Sequence, residues 1–352
     1  MEKGRKKGMM GVNEPSISLS IIIVNFRSSD LILDALHSIY QFNANLDFEV
    51  IIVDNSDDAV GKEKIQKFYP ELNWIQMPYN AGFSRANNAG IRVAKGDCVL
   101  LLNPDTVSID DSIQQCYYKL RNSPYVAAGV QLLDIHRQPQ ISGNFFVKGG
   151  LNHLLPIPYW GDFIRWVGYK AKAKVPNVQE ANEVEDVDWI SGAFLMVKKE
   201  AVEKAGLMDE DFFLYGEEVE WCSRLKKTGN LAIFGNLHMI HLEGATINES
   251  QNIKEKGYYN LYDKKGLQLM VSNHLRVRKQ YGVGWFLFLL SNYCFGVIVF
   301  LLFTTIHQLF LLKNPFQQWD RVGAYARNVL ALLSLSPKII SNKPYFYKMF
   351  GS

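Results

Sequence analysis

The chain contains only four cysteines, Cys98, Cys116, Cys222 and Cys294, and no two of them form a C-x-x-C pair. That argues against a disulfide framework and a thiolate zinc site. Three of the four fall in apolar or helical patterns, as buried thiols in a reducing compartment do. Net charge is also scarce: 38 Lys and Arg against 35 Asp and Glu leave +3. So small a balance gives no reason to expect nucleic acid as a partner. No G-x-G-x-x-G follows the first apolar run, and no G-x-x-x-x-G-K-[ST] occurs. A dinucleotide dehydrogenase or a P-loop enzyme is therefore disfavoured. Internal repeats and low-complexity tracts are missing too. The opening MEKGRKKGMM is basic but lacks the apolar stretch of a signal peptide, so the chain is expected to start in the cytosol.

What is present is a chain of 352 residues, 48% hydrophobic and 21% charged, with room for about two domains and a sizeable core. Its first third alternates. ISLSIIIVN (17–25), FEVIIVD (48–54), NWIQM (73–77) and DCVLLLN (97–103) read as strands, and 28–42, 60–69 and 84–95 as helices. Such alternation means βαβ units and an α/β fold with a mostly parallel sheet. Ligands of such sheets bind beyond the carboxyl ends of the strands. Those ends carry Asn25, Asp54, the turn YNAG (79–82) and, in LLNPDT, Asn103 and Asp105. Each is also an ordinary cap or turn residue. Four consecutive strand ends so furnished, all along one edge of one sheet, favour a binding site.

Residues 134–184 are irregular and rich in Gly, Pro, Trp and Tyr, and read as a long excursion. Regular pattern returns at 187–202, 209–229 and 231–235. Within FFLYGEEVEW, Glu217, Glu218 and Glu220 stand at a predicted helix start, where acidic residues suit the dipole. The apolar flank FFLY would desolvate a carboxylate held beside it, raising its pKa as a general base requires. His241 follows a short strand in MIHLEG; a single His is more often structural than a ligand.

Taken in order, IIIVNF, VIIVDNS, YNAGFSRANNAGI, LLLNPDT, WISGAFLMVKKEA, DEDFFLYGEEVEWCSRLKKTG and MIHLEG resemble a family-2 inverting glycosyltransferase, nearest the bacterial rhamnosyltransferase-like branch. The likeness covers about residues 17–250. It implies the nucleotide-diphospho-sugar transferase fold of type A. A donor-binding half would span 17–133, an acceptor-binding and catalytic half 134–280, a hydrophobic tail 281–352, and a basic extension 1–16. By the same resemblance Asp105 and His241 would hold Mg²⁺ or Mn²⁺ on the donor diphosphate. Asn103 stands where many relatives carry Asp. Asp54 would contact the base or ribose with Asn25 in the same pocket, and Asn80, Gly82 and Arg85 would wrap the nucleotide. The family's base is the second acid of a Glu-Asp pair, here Glu217-Glu218, which points to Glu218 with Glu217 as the alternative. The donor would be a nucleotide-diphospho-sugar, dTDP-rhamnose among the candidates, and the acceptor a glycan or lipid-linked glycan.

Residues 285–312 contain no charged residue. At about 1.5 Å per helical residue they exceed a hydrocarbon core of about 30 Å. Membrane association through 285–312 is expected. Both flanks are basic, with Arg276, Arg278 and Lys279 before and Lys313, Arg321 and Arg327 after. The positive-inside rule thus leaves open a single span or a hairpin broken near Ser291-Asn292 or Thr304-Thr305. Residues 313–352, with Trp319, Tyr325, Tyr345 and Phe346, read as an interfacial tail. The expected location is the cytoplasmic membrane with the catalytic part facing the cytoplasm. The competing readings are a non-catalytic nucleotide-sugar-binding or scaffold protein of this fold, and a soluble transferase whose tail is a dimer interface.

Overall fold

The computed structural model describes residues 17–173, 176–242 and 260–350. The basic extension 1–16 and the last two residues of MIHLEG lie outside them. Four strands open the chain: β1 (Leu19–Asn25), β2 (Phe48–Asp54), β3 (Asn73–Gln76) and β4 (Cys98–Leu102). Helices α1 (Ser29–Phe42), α2 (Ala59–Phe68) and α3 (Gly82–Val93) connect them. β1 pairs parallel with β2 and β4, and β2 with β3. β1 and β4 are buried along nearly their whole length, which is why they read as unbroken apolar runs.

Then come β5 (Thr106–Ser108), α4 (Ser112–Arg121), β6 (Ala127–Leu133), β7 (Gly143–Asn144), a 3₁₀ segment (Lys148–Leu154) and α5 (Trp160–Lys170). β8 (Asn177–Val178), β9 (Val184–Val187), β10 (Trp189–Ile190), β11 (Phe194–Lys198), α6 (Lys199–Ala205), α7 (Glu217–Leu225) and β12 (Leu231–His241) follow. The main sheet runs β3-β2-β1-β4-β11-β6-β12-β5, with β9 beside β12. Beyond β4 it turns mixed: β11 is antiparallel to both β4 and β6, and β12 parallel to β6 but antiparallel to β5. The excursion 134–184 supplies a small sheet, β10-β7-β8, and α5.

One apolar core fills the sheet face under α1 and α4, and another the face under α3, α6 and α7. A third is built from the last helices, α8 (Lys264–Tyr281), α9 (Val283–Phe310) and α10 (Trp319–Ser341). α9 buries Phe286, Leu289, Leu290, Tyr293 and Phe300 against α8 and α10. Each such side chain removed from water stabilises the assembly by about 1.5–3 kcal/mol.

Two expectations for the tail change here. α9 runs unbroken through Ser291-Asn292 and Thr304-Thr305, so there is no hairpin. Ser291 and Asn292 donate to the Phe288 carbonyl and Thr305 to that of Leu301, which satisfies these polar groups without a break. Tyr325 is not interfacial: it is fully buried, and its hydroxyl donates to the Tyr293 carbonyl at 3.2 Å.

Candidate functional site

The register of β1 and β2 sets Asn25 directly opposite Asp54. Asn25 Nδ2 donates to Asp54 Oδ1 at 3.0 Å, and Ser56 gives the same oxygen its backbone N–H and its hydroxyl. Asn25 Oδ1 in turn accepts from Ser28 N at 3.1 Å. Asp54 is fully buried, and burial raises its pKa although these donors pull the other way. Its second oxygen, Oδ2, is buried and has no protein partner. A desolvated acceptor left over at a strand end is what a ligand N–H or O–H would satisfy.

The turn 79–82 is held by two asparagines. Asn80 Oδ1 accepts from Gly82 N at 3.2 Å, while Asn55 donates to the Gly82 carbonyl and accepts from Ala81 N. Asn55 is a residue the motif reading missed, although it directly follows Asp54. Gly82 has φ +73°, and a Cβ there would lie 2.3 Å from the Phe213 carbonyl. Only glycine allows this approach, which ties the turn to the segment preceding Glu217-Glu218. Arg85 is engaged with protein groups: it donates to the Glu210 carbonyl and the Tyr79 hydroxyl and stacks 3.9 Å over Phe346. Phe346 also packs edge-on against Phe213, and Lys348 donates to the Asn80 carbonyl at 3.3 Å. The C-terminal segment thus covers the turn, a role that nothing in its sequence signalled.

Asn103 is fixed through its backbone, its N–H on the Ala193 carbonyl and its own carbonyl accepting from Thr106. Antiparallel pairing of β5 with β12 sets His241 against Thr106. That register brings His241 Nε2 to 3.5 Å from Asp105 Oδ1, both side chains being almost buried. Gln140 makes two contacts to the histidine: its Nε2 donates to the His241 carbonyl at 3.0 Å and its Oε1 lies 2.9 Å from Nδ1. Since the carbonyl can only accept, the amide oxygen faces Nδ1, so Nδ1 carries a hydrogen and Nε2 is the ring nitrogen turned toward Asp105. Among the described residues no three His, Cys, Asp or Glu side chains gather as a metal site. One carboxylate and one oriented imidazole suit a divalent ion that takes its remaining ligands from a diphosphate.

α7 starts after Tyr215 and Gly216, both with positive φ. Glu220 is committed to Arg224 by two 2.8 Å bonds. Glu217 is buried with Oε2 unpartnered. Burial, with the Glu218 charge beside it, pushes the Glu217 pKa well up. Burial raises that of Glu218 too. Glu218 is the more exposed of the two, and its Cγ lies 3.6 Å from where a Cβ on Gly192 would stand, as does the Phe83 ring. The loop Ser191-Gly192 therefore lies between helix α3 and Glu218.

Residues 20–140 match the family described as Glycosyl transferase family 2. The chain carries a family-2 glycosyltransferase domain. Similar to it is the low-salt glycan biosynthesis hexosyltransferase Agl10 of Haloferax volcanii, 26% identical over 218 residues, 59% of this chain and 62% of that one. The N-acetylglucosaminyl-diphospho-decaprenol L-rhamnosyltransferase of Mycobacterium tuberculosis is 26% identical over 206 residues, 53% of this chain and 63% of that one. The chain thus spans a little under two thirds of the length of either relative. A mannosyltransferase from Pyrobaculum calidifontis, solved with GDP-Man and Mn²⁺, covers 91% of this chain and 86% of its own at TM-score 0.50 and 13% identity. That likeness shows the type A fold around the glycosyltransferase domain.

Proposed function

We propose that the chain is an inverting glycosyltransferase that moves a sugar from a nucleotide-diphospho-sugar to a hydroxyl of a glycan or lipid-linked glycan, with rhamnose the leading candidate. The observation that carries this reading is the pairing of Asp105 with His241, far apart in the chain and adjacent on the rim that also holds Asp54. The names of the two relatives support the glycan chemistry, and the decaprenol-linked acceptor of one supports a lipid-linked acceptor.

In this reading Asp54 Oδ2 accepts from the base or ribose of the donor, and the Asn80–Gly82 turn closes on the nucleotide. Asp105 and His241 hold Mg²⁺ or Mn²⁺, whose charge would offset that developing on the diphosphate. Glu218 takes the proton of the acceptor hydroxyl as its oxygen bonds to the anomeric carbon. The bond from that carbon to the diphosphate breaks, and the nucleoside diphosphate leaves with the electron pair. A single displacement inverts the anomeric centre and needs no covalent nucleophile. Burial keeps the pKa of both acids high, and the Glu218 charge raises that of Glu217 further.

Asp105→Ala tests the reading. It should abolish the Mn²⁺ dependence of nucleoside-diphosphate binding in calorimetry. Unchanged dependence would make Asp105 a turn residue and remove the metal from the scheme. A thermal-shift panel of nucleotide sugars with Mn²⁺ identifies the donor.

A further inference from the structure

α9 has no Asp, Glu, Lys or Arg from Val283 through Leu312. It is the one helix among the described residues long and apolar enough to cross a membrane. Its packing argues against crossing. One stripe is locked to α8 and α10 along the helix, and α8 packs in turn on α7, which begins with Glu217-Glu218. Tyr325 bonds the Tyr293 carbonyl and Tyr262 packs on Phe300, so a transverse α9 would carry Arg327 of α10, and Asp263 and Lys264 at the start of α8, into hydrocarbon beside its middle. The opposite stripe, including Phe288, Phe295, Ile298, Leu302, Ile306 and Phe310, is exposed and runs the length of the helix, about 42 Å. α5 extends this face sideways. Trp160 packs edge-on to Phe295 and donates to Asn292, and Phe163 and Trp166 stack outward from it in series.

We propose that this face, α9 flanked by α5, lies flat in the headgroup layer of an anionic bilayer and mounts the enzyme on one leaflet without crossing it. The charge pattern selects lipid over a protein partner. The exposed stripe of α9 is uncharged, and on α5 Asp162 is paired with Arg165. At the α5 edge, exposed Trp166 and Tyr169 adjoin exposed Lys170 and Lys172; past the end of α9, exposed Phe316 and Trp319 follow Lys313. Aromatic rings beside lysines match the boundary between acyl chains and anionic headgroups. The proposal rests on the transferase reading only for its purpose, which is to bring Glu218 to acceptors carried by lipid.

The test uses the full chain added to preformed vesicles of phosphatidylcholine, with or without phosphatidylglycerol. Flotation should show binding favoured by the anionic lipid. Phe163→Glu with Trp166→Glu should lower the bound fraction about tenfold or more. Nucleoside-diphosphate affinity, measured on the same samples, should be unchanged; its loss in the parent protein would count against the transferase reading, not this one. In a Cys294→Ala background, Gly284→Cys and Leu312→Cys mark the two ends of α9. Both should react with a membrane-impermeant maleimide on bound vesicles. Protection of one end would establish a span and overturn the proposal. A parent protein that ignores vesicles and sediments as a dimer would overturn it as well, making the face a contact between copies.

Discussion

Glu217 and Glu218 are adjacent acids with divided properties. Both have raised pKa values through burial, and the charge of Glu218 raises that of Glu217 further. Glu218→Gln should keep fold and donor binding while transfer under saturating donor falls by about two to four orders of magnitude. Glu217→Gln should reduce transfer less. The parent rate should fall with decreasing pH at values above the ordinary Glu pKa of 4.5, because the base acts only when ionised. Stability has the opposite sign. The folded state holds the Glu217 proton to higher pH than the unfolded chain does, so stability declines as pH rises from 4.5 through the raised value. Glu217→Gln should therefore raise Tm at pH 8 and gain nothing below pH 4.5; an equal gain at both would mean the carboxyl is not titrating. Gln140 gives a further residue-scale prediction. Gln140→Leu frees the His241 ring to turn and should weaken Mn²⁺ binding, with nucleoside diphosphate present, about 10- to 100-fold by calorimetry. An affinity equal to the parent's would leave Gln140 as packing alone.

At the scale of elements, the C-terminal segment packs on the 79–82 turn and is not an appendage. Tyr347 N bonds to the Asp211 carbonyl, which places Phe346 over Arg85 and Lys348 on the Asn80 carbonyl. Phe346→Ala removes a cation–π contact of about 0.5–2 kcal/mol. Arg85 and the turn below it should then be less ordered, and nucleoside-diphosphate affinity should drop about 2- to 30-fold in fluorescence titration. If affinity is unchanged, the segment covers the turn without helping it bind.

For the whole molecule, the tail divides differently from its sequence. The boundary at 280/281 falls at the last residue of α8, which shares the third core with α9 and α10. A tail that were a separate anchor could be deleted at 281–352 to leave a folded protein with weaker membrane binding. The packing predicts instead that the remainder loses cover from Met270, Leu275 and Val277, all buried on α8, and aggregates. Circular dichroism and soluble yield of the truncated chain check this; a folded, monomeric remainder would show α8 to be stable on α7 alone.

Sequence alone determined the alternating βαβ start, the polar strand ends and the carboxylate pair, because strands buried on both faces, turn chemistry and helix starts are local and leave local marks. β1 to β4 came out within a residue or two of their apolar runs. Tertiary structure decided what depends on pairing between distant segments. The antiparallel β5–β12 register brought His241 to Asp105, and the 134–184 excursion supplied Gln140, a residue with no motif around it. Close approach of Gly82 to Phe213 joined the 79–82 turn to the segment before α7, and Phe346 folded back over Arg85. Composition made α9 long and apolar, but only its packing on α8 and α10 showed that one stripe of it already belongs to the protein's core. Hydropathy counts what a side chain avoids, and it carries no information on which neighbour will cover it.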